Sequence, residues 1–278
     1  MMKIALGSVQ WGLDYGISNK KGIPSEDELQ RILSFADKSG IKLLDTASAY
    51  GDAETRIGNM PNQNFKIVTK IGSFGREENV KNQIKLSLDR LKLKSVYGCL
   101  FHDAKEVIKN PIIWEDINEA KYQGKINKIG YSLYHPKELD QLFDLNFIPD
   151  IVQLPYNIID RRFELYFERL NDLNVEIHVR SVFLQGLLLN FNLMKNSKFL
   201  KWKLLWQLYH DWLKSNKLSP VEGCLGHVLT FKEISKIVVG IEHIDQLKEI
   251  IKATHKNKIL APTKLKSSDL ELVNPNLW

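Results

Sequence analysis

Four polar residues in the first 102 positions are of types that work together chemically. Asp45 ends the run Ile41-Lys42-Leu43-Leu44, and Tyr50 follows it by five residues. Lys70 ends Phe65-Lys66-Ile67-Val68-Thr69, and His102 ends Tyr97-Gly98-Cys99-Leu100-Phe101. A free phenol titrates near ~10, too high to donate readily at neutral pH, and a neighbouring ammonium lowers that value. A carboxylate can hold the ammonium charged and in place, and an imidazole can hydrogen-bond and orient a carbonyl. Such a set protonates a carbonyl oxygen while the carbon is attacked. No side chain donates hydride, so the chemistry calls for a nicotinamide cofactor.

Three of these residues close apolar runs that read as buried parallel strands, and Tyr50 lies on the loop after the first of the three. Further strands are expected at Ile4–Leu6, Ile126–Tyr131, Ile151–Leu154, Val175–Val179 and Ile237–Val239. Helical patterns alternate with them. One is opened by a Ser25/Glu28 capping box behind Pro24 and ends near Gly40. Others are expected near 52–59, 77–91, 111–123 (closed by Gly124), 135–145, 163–173 and 243–253. A long loop and two helices fill the stretch to about Phe231. Eight strand–helix units make an α/β (β/α)8 TIM barrel the expected fold, with polar strand ends at its C-terminal mouth. A doubly wound sheet fits poorly, because no Gly-x-Gly-x-x-Gly follows an early strand.

The same residues resemble the aldo-keto reductase superfamily. Its fingerprint is matched by Asp45-Thr46-Ala47, Tyr50-Gly51, Glu54 and Gly58, by Val68-Thr69-Lys70 and by Leu100-Phe101-His102-Asp103. Gly124-Lys125-Ile126, Ile129-Gly130-Tyr131-Ser132, Val152-Gln153-Leu154-Pro155-Tyr156-Asn157 and Val238-Val239-Gly240 through Gln246 and Glu249 continue the match in order. The resemblance covers nearly the whole chain. It implies that Tyr50 is the general acid, that Lys70 depresses its pKa, that Asp45 pairs with Lys70, and that His102 positions the carbonyl. Taken singly, each could be a packing or capping residue; the joint pattern favours catalysis.

The resemblance also implies a cofactor set. Ser132 and Gln153 would bind the nicotinamide carboxamide. Leu133 stands where the family commonly has Asn, so one contact falls to Gln153 or Asn157. Arg180, Ser181 or Phe183, in Arg180-Ser181-Val182-Phe183-Leu184-Gln185-Gly186, would face the cofactor, and Phe183 is a candidate ring to stack on it. Gly240, Gln246 and Glu249 would contact the adenosine end. NADPH is expected on family habit, with NADH possible because Glu242 is acidic and no Lys or Arg occupies positions 240–246. Trp11 and Trp278 are candidate walls of the substrate pocket.

The chain is expected to be one barrel domain over 1–278, with the tail 261–278 packing near the site. Its 278 residues and 44% hydrophobic content suit a sizeable core, with no linker or low-complexity stretch. The net charge of +6 comes from scattered lysines without a nucleic-acid motif, so no nucleic-acid partner is expected. No apolar run is long enough for a membrane span, and the start is too strand-like for a signal peptide. Cys99 and Cys224 read as buried free thiols of a cytoplasmic protein. Lys195–Lys217 mixes lysines with Trp202, Trp206 and Trp212; packing against the barrel is favoured over a membrane or partner contact. The histidines show no metal-ligand spacing, and no metal is expected.

The expected function is therefore NAD(P)H-dependent reduction of a small-molecule aldehyde or ketone, with the proton from Tyr50. The runs at 6–16 and 180–186 resemble a bacterial branch associated with polysaccharide and sugar-modification pathways, which suggests a keto-sugar or nucleotide-linked sugar. The alternatives are a nicotinamide-binding regulatory subunit with little turnover and a cofactor-free barrel hydrolase or isomerase. The oligomeric state and the direction of reaction stay open.

Overall fold

The computed structural model describes residues 2–19, 21–61, 64–72 and 79–278. Eight parallel strands close into a barrel in sequence order: β1 (Ile4–Gly7), β2 (Leu43–Asp45), β3 (Lys66–Ile71), β4 (Val96–Phe101), β5 (Ile126–Ser132), β6 (Ile151–Pro155), β7 (Glu176–Arg180) and β8 (Ile234–Gly240). Pairing of Ile4 with Ile237 through Gly7 with Gly240 closes β8 onto β1. This is the expected (β/α)8 barrel.

Side chains alternate across each strand, and the barrel uses that period twice. Ala5, Leu43, Val68, Leu100, Ile151 and Val238 fill the interior as one apolar cluster. Two residues beyond these six stand Gly7, Asp45, Lys70, His102, Gln153 and Gly240, and two beyond Gly130 of β5 and His178 of β7 stand Ser132 and Arg180. The apolar layer is thus the floor beneath a polar ring at the mouth.

Helices pack on the outside of the barrel, the longer ones by one buried stripe, whereas Pro220–Val228 is buried nearly all round. In Glu26–Lys38 the buried residues are Leu29, Ile32, Leu33 and Ala36, the i, i+3, i+4, i+7 spacing of one helical face. Ser25 caps this helix by accepting from the Glu28 amide at 3.2 Å, but the expected capping box is not completed. The Glu28 carboxylate instead accepts from the Ile244 amide at 2.7 Å, at the start of the helix Ile244–Thr254. A long-range contact has replaced the local one.

Three further boundaries differ from expectation. The helix expected from Glu77 begins, within the described residues, at Val80, capped by Asn79; Glu77 itself lies outside them. An additional helix, Ala104–Lys109, follows β4, with Asp103 accepting from the Lys105 amide. The stretch 163–173 divides into a 3-10 turn at Glu164–Tyr166 and a helix at Phe167–Asp172. In the lysine- and tryptophan-rich stretch, the helix Lys203–Ser215 buries Trp206, Tyr209, Trp212 and Leu213. Its aromatics therefore pack inward, with the Tyr209 hydroxyl donating to the Leu188 carbonyl at 3.0 Å. No helix among the described residues is long and apolar enough to cross a membrane.

The segment beyond Ala261 returns to the barrel mouth. Arg161 fastens its start by donating to the Ala261 and Pro262 carbonyls at 3.1 and 3.2 Å. The Ser267 amide donates to the Ile159 carbonyl at 2.9 Å. Val273 to Asn276 then reach the cavity wall.

Candidate active site

A cavity of about 360 Å³ opens at the C-terminal ends of the strands. Seven of the eight ring residues line it; Lys70 lies just behind, fully buried. Lys70 is placed by strand alternation, and its ammonium uses all three protons. It donates to Asp45 Oδ2 at 2.6 Å, to the Thr46 carbonyl at 3.0 Å and to Tyr50 Oη at 3.4 Å. Asp45 is oriented on its other side by Gln153, whose Nε2 donates to Oδ1 at 2.7 Å. Both Asp45 oxygens are therefore engaged, which offsets the desolvation of a buried ion pair.

Tyr50 reaches the ammonium because its loop is clamped by backbone contact. A Cβ on Gly12 would lie 1.9 Å from the Tyr50 carbonyl oxygen. A Cβ on Gly51, at φ +57°, would in turn overlap the Gly12 carbonyl oxygen. Only paired glycines let the two loops touch. The Tyr50 and His102 rings then meet edge to face, with centroids 5.6 Å apart.

The electrostatics assign protonation states. Burial pulls the Lys70 ammonium down, but Asp45 above all and then Tyr50 push it up, and the net shift is upward. Burial pushes the Tyr50 phenol up; Lys70 draws it down less strongly, so the net direction is upward. Lys70 thus acts on the phenol in the expected direction, and the larger desolvation carries the net shift upward. Burial, reinforced by Lys70 and Arg180, lowers His102 to about 3. At neutral pH the cavity therefore presents a protonated phenol, a charged lysine behind it and a neutral imidazole. Such a set can hand one proton to an oxygen held between Tyr50 and His102.

Ser132, Arg180, Ser181, Phe183, Gly240, Gln246 and Glu249 all line the same cavity. Asn157 does not; it is fully buried and donates from Nδ2 to the Ser181 carbonyl at 3.0 Å, fixing the loop after β7. That loop holds Ser181, Leu184 and Gln185 at positive φ. It is tied to the loop after β1, since Gln185 Nε2 donates to the Tyr15 hydroxyl at 2.8 Å and Ser18 Oγ to the Gln185 carbonyl at 3.2 Å. The far end of the cavity is built by Glu242 and Gln246. Gln246 Oε1 accepts from the Glu242 and His243 amides at 3.0 and 3.2 Å, and its Nε2 donates to Glu242 Oε1 at 2.9 Å. Among the described residues, Glu242 Oε2 is buried without a hydrogen-bond partner, as is Gln10 Oε1, whose amide lies against Gly240.

Two expected pocket residues lie elsewhere. Trp11 is fully buried under the mouth, its indole N–H donating to the Ile241 carbonyl at 2.7 Å. Trp278 packs edge to face on Phe199 at 5.0 Å and donates to the Glu271 carbonyl. The tail reaches the cavity through Asn274 and Asn276 instead. The sequence reading also passed over Gln10, on the short helix Val9–Gly12, and Tyr15 and Tyr134, which sit on loops without periodic signal.

The family model described as "Aldo/keto reductase family" matches residues 3–261. An aldo-keto reductase of Mycobacterium tuberculosis is 30% identical over 139 residues, 46% of this chain and 48% of the relative. In such matches the chain spans about half the length of the mycobacterial relatives. An uncharacterised oxidoreductase of Bacillus subtilis is 25% identical over 262 residues, covering 84% of this chain and 85% of its own. Among solved structures, a holo-form aldo-keto reductase of Bacillus halodurans superposes with a TM-score of 0.74 at 22% identity, over 93% of this chain and 88% of that one. A glycerol dehydrogenase of Gluconobacter oxydans superposes with a TM-score of 0.68 at 18% identity, over 92% and 88%. With its polar ring carried on a closed eight-stranded barrel, the chain belongs to the aldo/keto reductase family.

Proposed function

We propose that this chain reduces the carbonyl of a small aldehyde or ketone to an alcohol with a nicotinamide dinucleotide, in the cytoplasm. The observation that carries the reading is the approach of Lys70 Nζ to Tyr50 Oη at 3.4 Å, behind a cavity wall that Tyr50 shares with an uncharged His102. Its lining residues suit a dinucleotide: polar groups stand at both ends, and two buried oxygens, on Glu242 and Gln10, have no donor among the described residues. A bound nicotinamide would supply hydride to the carbonyl carbon. His102 and Tyr50 would hold the carbonyl oxygen, and Tyr50 would give it a proton as negative charge develops there. Lys70 would stabilise the phenolate left behind, and Asp45 with Gln153 would keep the ammonium aimed. Ser132 would orient the carboxamide; Phe183, Ser181, Gly240, Gln246 and Glu249 would wall the rest of the cofactor. Alcohol oxidation would use the same groups in reverse.

Family habit points to NADPH, but Glu242 favours NADH, and the proposal takes NADH as the preferred dinucleotide. A free carboxylate oxygen accepts from a ribose hydroxyl and repels a 2′-phosphate. Among the described residues no lysine lines the cavity, and of its two arginines Arg162 lies in the loop after β6 and Arg180 ends β7, neither at the β8 end. A keto-sugar, free or nucleotide-linked, is the substrate that the resemblance of residues 6–16 and 180–186 suggests.

The test is turnover of an aldehyde and keto-sugar panel with NADH and NADPH, alongside Tyr50→Phe. The variant should lose roughly 10²- to 10⁴-fold in kcat, while tryptophan quenching shows that it still binds dinucleotide. Full activity in the variant, or no dinucleotide binding by folded wild-type protein, would defeat the reading.

A further inference from the structure

The charges lining the cavity are unevenly balanced. Asp45 is paired with Lys70, and Arg162 is paired with Asp160 through two contacts of 2.8 Å. Glu242 and Glu249 stand at the β8 end. Arg180 has no carboxylate partner among the described residues. It ends β7, opposite Pro155 of β6, and is half-buried on the cavity wall. Its guanidinium lies over the Tyr134 ring at 4.5 Å. It donates to the Leu133 carbonyl at 3.0 Å and to Ser181 Oγ at 3.4 Å, which fixes the plane and leaves donors over. A guanidinium offers five N–H groups in a planar fork matched to carboxylate and phosphate.

An immobilised arginine whose neighbours are neutral oxygens and an aromatic face is a ready anion receptor. Its desolvation is offset by the ring quadrupole and two hydrogen bonds, and an anion in the cavity would complete it. Arg180 also lies close enough to the reacting groups for its charge to act on both Tyr50 and His102.

We propose that Arg180 selects a carbonyl substrate carrying an anionic group, a carboxylate or a phosphate, a short distance from the carbonyl carbon. This rests on the reductase reading and narrows its substrate class. A nucleotide-linked or phosphorylated sugar, a uronic-type sugar and a keto acid all satisfy it; a neutral sugar does not.

The experiment compares matched pairs under the preferred dinucleotide: glyceraldehyde 3-phosphate with glyceraldehyde, and succinic semialdehyde with butanal. Wild-type protein should favour the anionic member of at least one pair in kcat/KM, and which pair responds distinguishes phosphate from carboxylate. Arg180→Met should lower that ratio by roughly 10- to 100-fold, the worth of a charge-assisted hydrogen-bond pair. Arg180→Lys, which keeps the charge and loses the fork, should retain part of it. Turnover of both members alike by wild-type protein, or an unchanged ratio in Arg180→Met, overturns this proposal and leaves the reductase reading standing. A fall in dinucleotide affinity with the ratio unchanged places Arg180 on the cofactor and also overturns it. No turnover of any carbonyl overturns both readings together.

Discussion

Gln153 Nε2 donates to Asp45 Oδ1 at 2.7 Å, on the carboxylate whose other oxygen holds Lys70 at 2.6 Å. The two residues are 108 positions apart and meet because β2 and β6 both point a side chain inward at the barrel mouth. The acid–base set thus has a brace behind it. Gln153→Leu should leave Asp45 under-satisfied and let the ammonium shift from Tyr50. Losing a buried hydrogen bond to a charged group costs about 1.5–3 kcal/mol. We expect kcat to fall by roughly tenfold or more, with Gln153→Glu worse because it sets a second carboxyl against Asp45. Wild-type kcat in Gln153→Leu would show that the brace is dispensable.

The preference between dinucleotides should turn on one side chain. Glu242→Ser removes the carboxylate that faces the β8 end of the cavity while keeping a hydroxyl there. NADPH affinity should rise about tenfold relative to NADH, the effect of relieving a like-charge contact of roughly 1.4 kcal/mol. Tryptophan-quenching titrations of wild-type and variant protein measure the shift directly. Equal preference in both proteins would remove Glu242 from the recognition of the ribose.

Acid should destabilise this fold earlier than its carboxylates alone require. Burial holds His102 and His227 down to about 3, against 6.5 in the unfolded chain. Between those values the unfolded state binds protons that the folded state refuses. The stability contribution is therefore complete above pH 6.5 and is lost as pH falls toward 3. Each imidazole removes about 1.4 kcal/mol per pH unit within that window. Urea unfolding midpoints should decline steadily from pH 6.5 to 4.5, and His227→Gln should flatten the decline. A midpoint constant over that range would contradict the burial of both rings.

Much of this was legible before any coordinates, and the reason is periodicity. Strand alternation alone brings Asp45, Lys70, His102, Ser132, Gln153 and Arg180 to one rim, because each stands two residues beyond a floor position or its equivalent. The contacts that escaped are those without a period. Tyr15 meets Gln185 across two loops, and Tyr134, on a third, meets Arg180. Trp11 follows β1 closely enough to look like a rim residue, yet the chain turns into a helix at Val9–Gly12 and buries it. Trp278 lies at a terminus whose path depends on Arg161 and Phe199, far away in sequence. The net direction of the Tyr50 shift escaped for another reason. A neighbouring lysine is visible in a sequence, whereas the desolvation that outweighs it is a property of the packed site.

The contact of Gly12 with Gly51 has a consequence for how such a site can change over generations. The phenol is aimed by two stretches of main chain touching, not by the side chains around it. Cavity walls such as Phe183, Tyr134 and Asn274 can therefore be exchanged without re-aiming the phenol. Specificity is free to drift while the chemistry is inherited intact, and the two glycines, which touch no substrate, are what keep those histories separate.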